Sequence, residues 1–345
     1  MHHTIRLSPL LPTFVPAGFV DVGHSVVRDA KTGKNLVIVD SVQSLANHLE
    51  ATLVAEPGQA IEGLQDMPYL RLTITDPAGR TRRTSSLELP HRLASGWFCK
   101  AKELKRFQEE LAKDILDNGI AAATFRRCPN SLLHGVFYSQ LDGLDPNVAK
   151  TPRLLTAEVV AKGAQSISDG GVAKDPLFPS GDGFDVESLV GAKAKASAVG
   201  AGYIPYRHQA FIAEEIELSI YLAEGRMMRL PLPDPAREVL RLLARLKLAR
   251  LLAEPLDLRA HCIFEVETPS AIPVELQQPQ ALLDELQHRL QNCRQLGLLQ
   301  DPPLTEFQLT LAAAKAKTKD GKGKGKATAD DTAETEAQGE VEGED

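Results

Sequence analysis

Histidine, Lys, Arg, Asp and Glu are the side chains here that could do chemistry, and their spacing decides which chemistry is open. The nine histidines are scattered along 345 residues. No HExxH places two imidazoles on one helical face for zinc, and no GxSxG turn presents a nucleophile. There is no GxxxxGK[ST] loop, and no GxGxxG stands between a strand and a helix. Gly321-Lys-Gly-Lys-Gly325 has no strand before it and is no phosphate cradle. Cys99, Cys128, Cys262 and Cys293 lie far apart without a CxxC pair, so neither a zinc site nor a disulfide framework is signalled. Reduced thiols in a cytoplasmic protein are the simplest reading. His48, beside Asn47, could act as a general base. No nucleophile partners it, and a helix-surface side chain is the plainer assignment. No cofactor or metal is implied, and a binding protein rather than an enzyme is expected.

The basic residues are more informative. Arg80, Arg82 and Arg83 surround Asp76-Pro-Ala-Gly79, which reads as a basic hairpin tip or simply an exposed turn. Arg126-Arg127 follows the apolar stretch Ile120–Phe125. Arg237, Arg241 and Arg245 recur every four residues and so share a helix face, extended by Lys247 and Arg250. Such a stripe could lie along a phosphate backbone, but is more often the solvated side of an amphipathic helix. Lys193 and Lys195 lie in a Gly- and Ala-rich stretch, about 163–202, without clear periodicity. That stretch reads equally as a disordered insertion or as an arm gripping RNA or a neighbouring subunit. From about Ala312 a block of lysines precedes a block of acids with almost nothing apolar, and reads as a disordered tail.

Strands and helices are interspersed without a regular βαβα alternation, which predicts an α+β fold. β-Branched runs predict strands at Asn35–Asp40, Tyr69–Asp76, Ile216–Leu222 and Arg259–Glu267. Helical spacing predicts helices at Ser41–Thr52 with Asp40 as N-cap, Lys102–Asn118, Pro235–Ala253 and Leu282–Leu296. Residues 1–311 are expected to form the folded unit and 312–345 the charged tail. Apolar residues make up 43%, enough for a sizeable core. The net charge of −7 excludes a uniformly basic nucleic-acid binder, though not one whose cations are clustered. No signal peptide and no run of about 18 apolar residues is present, so no membrane span is expected.

Several ordered stretches carry a resemblance. Phe14-Val-Pro-Ala-Gly-Phe-Val-Asp-Val-Gly23 and Leu36-Val-Ile-Val-Asp-Ser-Val-Gln-Ser-Leu-Ala-Asn-His-Leu-Glu50 resemble the "PTGFPDLG" and "LLVESxQSMANRLE" segments of type I-G (formerly I-U) CRISPR backbone subunits of the RAMP superfamily. Gln43, Ser44, Ala46, Asn47, Leu49 and Glu50 match, and His48 stands where the family has Arg. Leu89-Pro-His-Arg-Leu-Ala-Ser95 is similar to "HRLxSPY", Asn130–Phe137 to "HSLFLGVW", and Lys150–Glu158 to "KxPRxLxSEI". The matches span about residues 10–160 and loosen beyond them.

The resemblance implies a modified RRM-like, ferredoxin-like βαββαβ core with finger and thumb insertions, the thumb near 163–202. It implies a guide-RNA-binding subunit of a Cascade surveillance complex in antiviral defence. Copies would stack along the CRISPR RNA as a helical filament beside the large subunit and the repeat-handle-binding subunit, and target DNA would be met through the guide. Target cleavage would belong to a separate helicase-nuclease. Carry-over gives Gln43, Ser44, Asn47, His48, Arg92 and Arg153 as RNA contacts, with Lys193, Lys195 and Arg207 as thumb contacts. Ser44, Asn47 and His48 share a helix face. A guide-independent binder must hold phosphate and sugar rather than base edges. Aromatics at 5% fit that better than a base-stacking sheet. The alternative is a metal-independent CRISPR RNA-processing endoribonuclease of the same superfamily, with His48 or His91 as general base.

Overall fold

The computed structural model describes residues 1–19, 23–145, 149–174 and 203–312. Lys193, Lys195 and the tail from 313 onward lie outside the described residues, as does the side chain of Arg207. The chain opens with β1 (His2–Pro9), then β2 (Val26–Arg28) and β3 (Asn35–Asp40), which leads into α1 (Val42–Ala51). A hairpin follows, β4 (Tyr69–Thr75) and β5 (Thr81–Ser85). Three consecutive helices come next: α2 (Lys105–Asn118), α3 (Ile120–Arg127) and α4 (Pro129–His134). Gly119, at φ 84° and ψ 153°, ends α2 where the Asn-Gly pair signals a helix C-terminus.

The second half contributes β6 (Leu155–Lys162), β7 (Gln165–Lys174), β8 (Tyr203–Ile212) and β9 (Glu215–Leu222). Then come α5 (Asp234–Leu252), β10 (Leu256–Arg259), β11 (Cys262–Val266), α6 (Pro279–Gln295) and β12 (Leu304–Thr310). Seven strands form the main sheet in the order β10-β11-β1-β9-β6-β3-β2, antiparallel throughout. A smaller sheet, β12-β4-β5, has β12 parallel to β4. The α+β expectation therefore holds.

Period-two burial explains the main sheet. Leu155, Ala157, Val159 and Ala161 of β6 point into the core, as do Ile216, Leu218, Ile220 and Leu222 of β9. The intervening residues carry charge, with Lys162 on Glu217 at 2.6 Å and Arg6 on Glu215 at 2.8 Å. One face is thus apolar and one polar, as usual for an antiparallel sheet covered on one side. Helices α1, α4 and α5 pack together on the buried face, with α6 against α5. Each fully buried Leu of α5, such as Leu240 and Leu243, contributes roughly 1.5–3 kcal/mol.

Three sequence expectations need correction. Asp40 is the last residue of β3 and not a cap; Ser41 caps α1, its Oγ accepting from the Ser44 amide at 3.3 Å. The stretch 259–267 is not one strand, because the chain turns at Ala260-His261, where His261 adopts φ 61°, and β10 and β11 pair across the turn. The stretch read as aperiodic from 163 begins with an ordered ribbon, since β7 and β8 pair over ten residues each. Ser and Gly hide the alternation in β7, and backbone pairing with β8 holds it instead.

Candidate nucleic-acid interface

Four stretches separated in sequence meet at one cleft of about 460 Å³. Gln43 comes from the first turn of α1, and His91 and Arg92 from a 3-10 turn before α2. His134 and Gly135 come from the end of α4, and Thr151 and Arg153 from the segment entering β6. Gly135 allows the last two to close up. It adopts φ 79°, and a Cβ there would lie 2.9 Å from the Arg153 amide nitrogen and 3.0 Å from the Thr151 carbonyl oxygen. Arg153 donates to the Val42 carbonyl at 3.0 Å and to Gln43 Oε1 at 2.8 Å. Burial and the nearby Arg92 lower its pKa, and Glu50 works against them.

Beneath the cleft lies a buried polar network. Arg92 holds Glu50 through two parallel hydrogen bonds, 2.6 and 2.7 Å, with both side chains 5% exposed. Asn130 Nδ2 donates to Glu50 Oε1 at 2.6 Å. Lys247 of α5, fully buried, donates from Nζ to Asn130 Oδ1 at 2.5 Å and stands 2.5 Å from His134 Nε2. Burial pushes the Lys247 pKa down to about 7, although Glu50 pulls it up. Burial, then Lys247, Arg92 and Arg153, hold the His134 pKa well below its ordinary value, so the imidazole stays neutral. Arg92 also adopts φ 53°, a left-handed conformation that non-Gly residues rarely take. With Arg92, Arg153 and Lys247 set against one Glu50, the site favours an anion.

The structure brings Gln43, Arg92 and Arg153 together with His91 but leaves Ser44, Asn47 and His48 outside the cleft. Ser44 contributes its amide to the cap of α1, and Asn47 is exposed. His48 stands 4.0 Å from Asp40, whose carboxylate is fully buried and also paired with Arg259. The Arg92 guanidinium is committed to buried Glu50 beneath the cleft. Three arginines of the α5 stripe are likewise committed. Arg237 pairs with Asp234 at 2.5 Å, Arg241 pairs with Glu224 and Glu238, and Arg250 donates to the Thr52 carbonyl at 2.8 Å. Arg126 and Arg127 both clamp Asp114, and together with Asn118 they lower its pKa although burial alone would raise it. Arg82 and Arg83 lie exposed on β5, while Arg80 pairs with Asp76 at 2.7 Å.

Sequence reasoning missed the roles of Glu50, Asn130, His134 and Lys247. A signal for Lys247 existed. It lies four residues after Leu243 and seven after Leu240, which puts it on the apolar stripe of α5. His134 sits in the mostly apolar run Leu132-Leu-His-Gly-Val-Phe137 and carries no such mark.

All four cysteines are free and buried. Among the described residues no cluster of His, Cys, Asp or Glu suits a metal ion, and no helix is long and apolar enough to cross a membrane.

Residues 4–166 match the model of a family described as CRISPR-associated protein GSU0053. No curated protein matches. Among solved structures the chain is similar to one described as "CRISPR RNA-guided surveillance complex, pre-nicking", at 15% identity and TM-score 0.33. That match covers 73% of this chain and 66% of the other, just under two thirds of its length.

Proposed function

We propose that this chain is a guide-RNA-binding backbone subunit of a CRISPR effector complex and that it acts by binding, not by catalysis. One observation carries the reading. The segments that resemble the CRISPR backbone subunits, 36–50, 89–95, 130–137 and 150–158, each supply a wall of the same cleft. Residues that share only a core would not need to converge on an open, cationic surface. The family model spans all four segments and supports the same conclusion.

The sheet supports the RRM-like part of the reading. Four adjacent strands, β11-β1-β9-β6, have the spatial order 4-1-3-2 of an antiparallel βαββαβ core, with α5 crossing between β9 and β11. β2 and β3 then extend the sheet at its edge, and the β7–β8 ribbon stands between the second and third core strands where a thumb insertion is expected. A binder of arbitrary guides must grip the backbone, and the cleft offers Arg153, the Gln43 amide and histidines, with the exposed Phe137 at its side.

The test is a binding measurement with single-stranded repeat–spacer RNA at low salt. The wild-type chain binds and Arg153→Gln binds more weakly; a wild-type chain that leaves the RNA free refutes the reading. Cleavage of precursor RNA by the wild type, lost in His91→Ala, would replace it with the endoribonuclease, because His91 lies in the cleft and His48 does not.

A further inference from the structure

His134 is 3% exposed, lines the cleft, and has one ring nitrogen unexplained. Asn130 fixes the arrangement behind it. Its amide nitrogen must face the Glu50 carboxylate, which only accepts, so its Oδ1 faces Lys247. Below its pKa of about 7, Lys247 is an ammonium with donors and no lone pair. It lies 2.5 Å from His134 Nε2, so Nε2 accepts and the single proton of the neutral imidazole sits on Nδ1. Nδ1 is buried and has no hydrogen-bond partner among the described residues. A buried donor left unpaired costs about 1–3 kcal/mol, so a site that keeps one is built around something that accepts.

The acceptor's chemistry follows from its surroundings. Arg153 uses N–H groups on Val42 and Gln43 at the rim, and a guanidinium has five to offer. Arg92, Lys247 and Arg153 outnumber Glu50, so a ligand with several anionic oxygens is favoured over a neutral one. At about 460 Å³ the cleft is the size of a small-molecule pocket and has room for a nucleotide unit around a phosphate.

We infer that the cleft is a phosphate site in which His134 Nδ1–H donates to a phosphate oxygen, Arg153 supplies the opposing charge, and Lys247 with Asn130 positions the imidazole. Assigning that phosphate to an RNA backbone rests on the RNA-binding reading; the phosphate site itself does not.

The experiment uses the full chain labelled with ¹⁵N-histidine, on the acid side of the Lys247 titration. Inorganic phosphate and single-stranded RNA are titrated in separate arms, with the His134 ring signals assigned through His134→Gln. The expected result is a shift of the His134 Nδ1 resonance in both arms. In parallel, His134→Gln weakens RNA binding about tenfold or more, the size of a hydrogen bond to a charged group. Its dependence on salt stays that of the wild type, because a neutral imidazole displaces no counterion, whereas Arg153→Gln lowers the slope by about 0.7. A shift with inorganic phosphate alone upholds the site and removes RNA as its source. No shift in either arm overturns the proposal. If His134→Gln fails to fold, the wild-type titrations still decide through the cleft residues' signals.

Discussion

Glu50 shows how one buried side chain can organise a surface it never reaches. It binds Arg92 twice and Asn130 once, and Asn130 in turn orients Lys247. Breaking a buried pair from one side leaves an uncompensated charge and costs about 3–5 kcal/mol. Glu50→Gln should therefore lower stability by about that amount in urea unfolding. A paired replacement, Glu50→Met with Arg92→Met, should cost less than the two single changes added together. Additive costs would mean the two side chains are not coupled. Lys247 gives a second prediction. Its folded pKa of about 7 lies below its unfolded value, so unfolding takes up a proton between the two. The stability linked to this group is complete above the unfolded pKa and is lost as pH falls through about 7. Stability should thus rise from about pH 7 to pH 8.5 in the wild type, before thiols of the unfolded chain begin to titrate. Lys247→Met should remove that rise. An identical pH profile in both proteins would contradict the buried, depressed ammonium.

At the scale of elements, the cleft depends on a turn that tolerates no side chain. Gly135 ends α4 at φ 79°, and the Lys150–Arg153 segment passes against its α-carbon. The atoms a Cβ would meet are backbone, so no rotamer change relieves the clash. Gly135→Ala should cost about 1–3 kcal/mol and should also weaken RNA binding, because Arg153 is carried on the displaced segment. Retained affinity in a destabilised but folded Gly135→Ala would separate Arg153 from the site.

Elements with a strong period were legible in the sequence. Helices α1, α2, α5 and α6 and strands β3, β4 and β9 lie within a few residues of their predicted places, because their apolar spacing directly reports a buried face. Strands β7 and β8 were not legible, since Ser and Gly break the alternation in β7, and Pro205, Arg207 and His208 interrupt the apolar residues of β8. The site was legible by halves. Gln43 and Arg153 stood in recognisable segments and do meet. The buried partners Asn130, His134 and Lys247 looked like ordinary helix residues, because nothing local in a sequence shows that α4 and α5 face each other.

The whole molecule carries a net charge of −7, so on the proposed reading RNA would be held by a local field acting against an unfavourable total. Most described cations near the surface are already spent on carboxylates, as Arg6, Arg71, Lys100, Arg126 and Arg294 show. If each copy grips RNA mainly through its cleft, tight binding would require several copies on one strand. Two consequences follow for RNAs of increasing length. Bound mass, read by sedimentation, should increase in steps as each added length admits another copy. The slope of log K against log[salt] should steepen in proportion, by about 0.7 for every cationic phosphate contact on single-stranded RNA. Arg153→Gln should flatten that slope once per bound copy, so its effect grows with RNA length, unlike the effect of an altered core residue. A single stoichiometry at every length, with one fixed loss of slope in the variant, would instead describe a lone subunit bound at one end of the RNA and would exclude the stacked assembly.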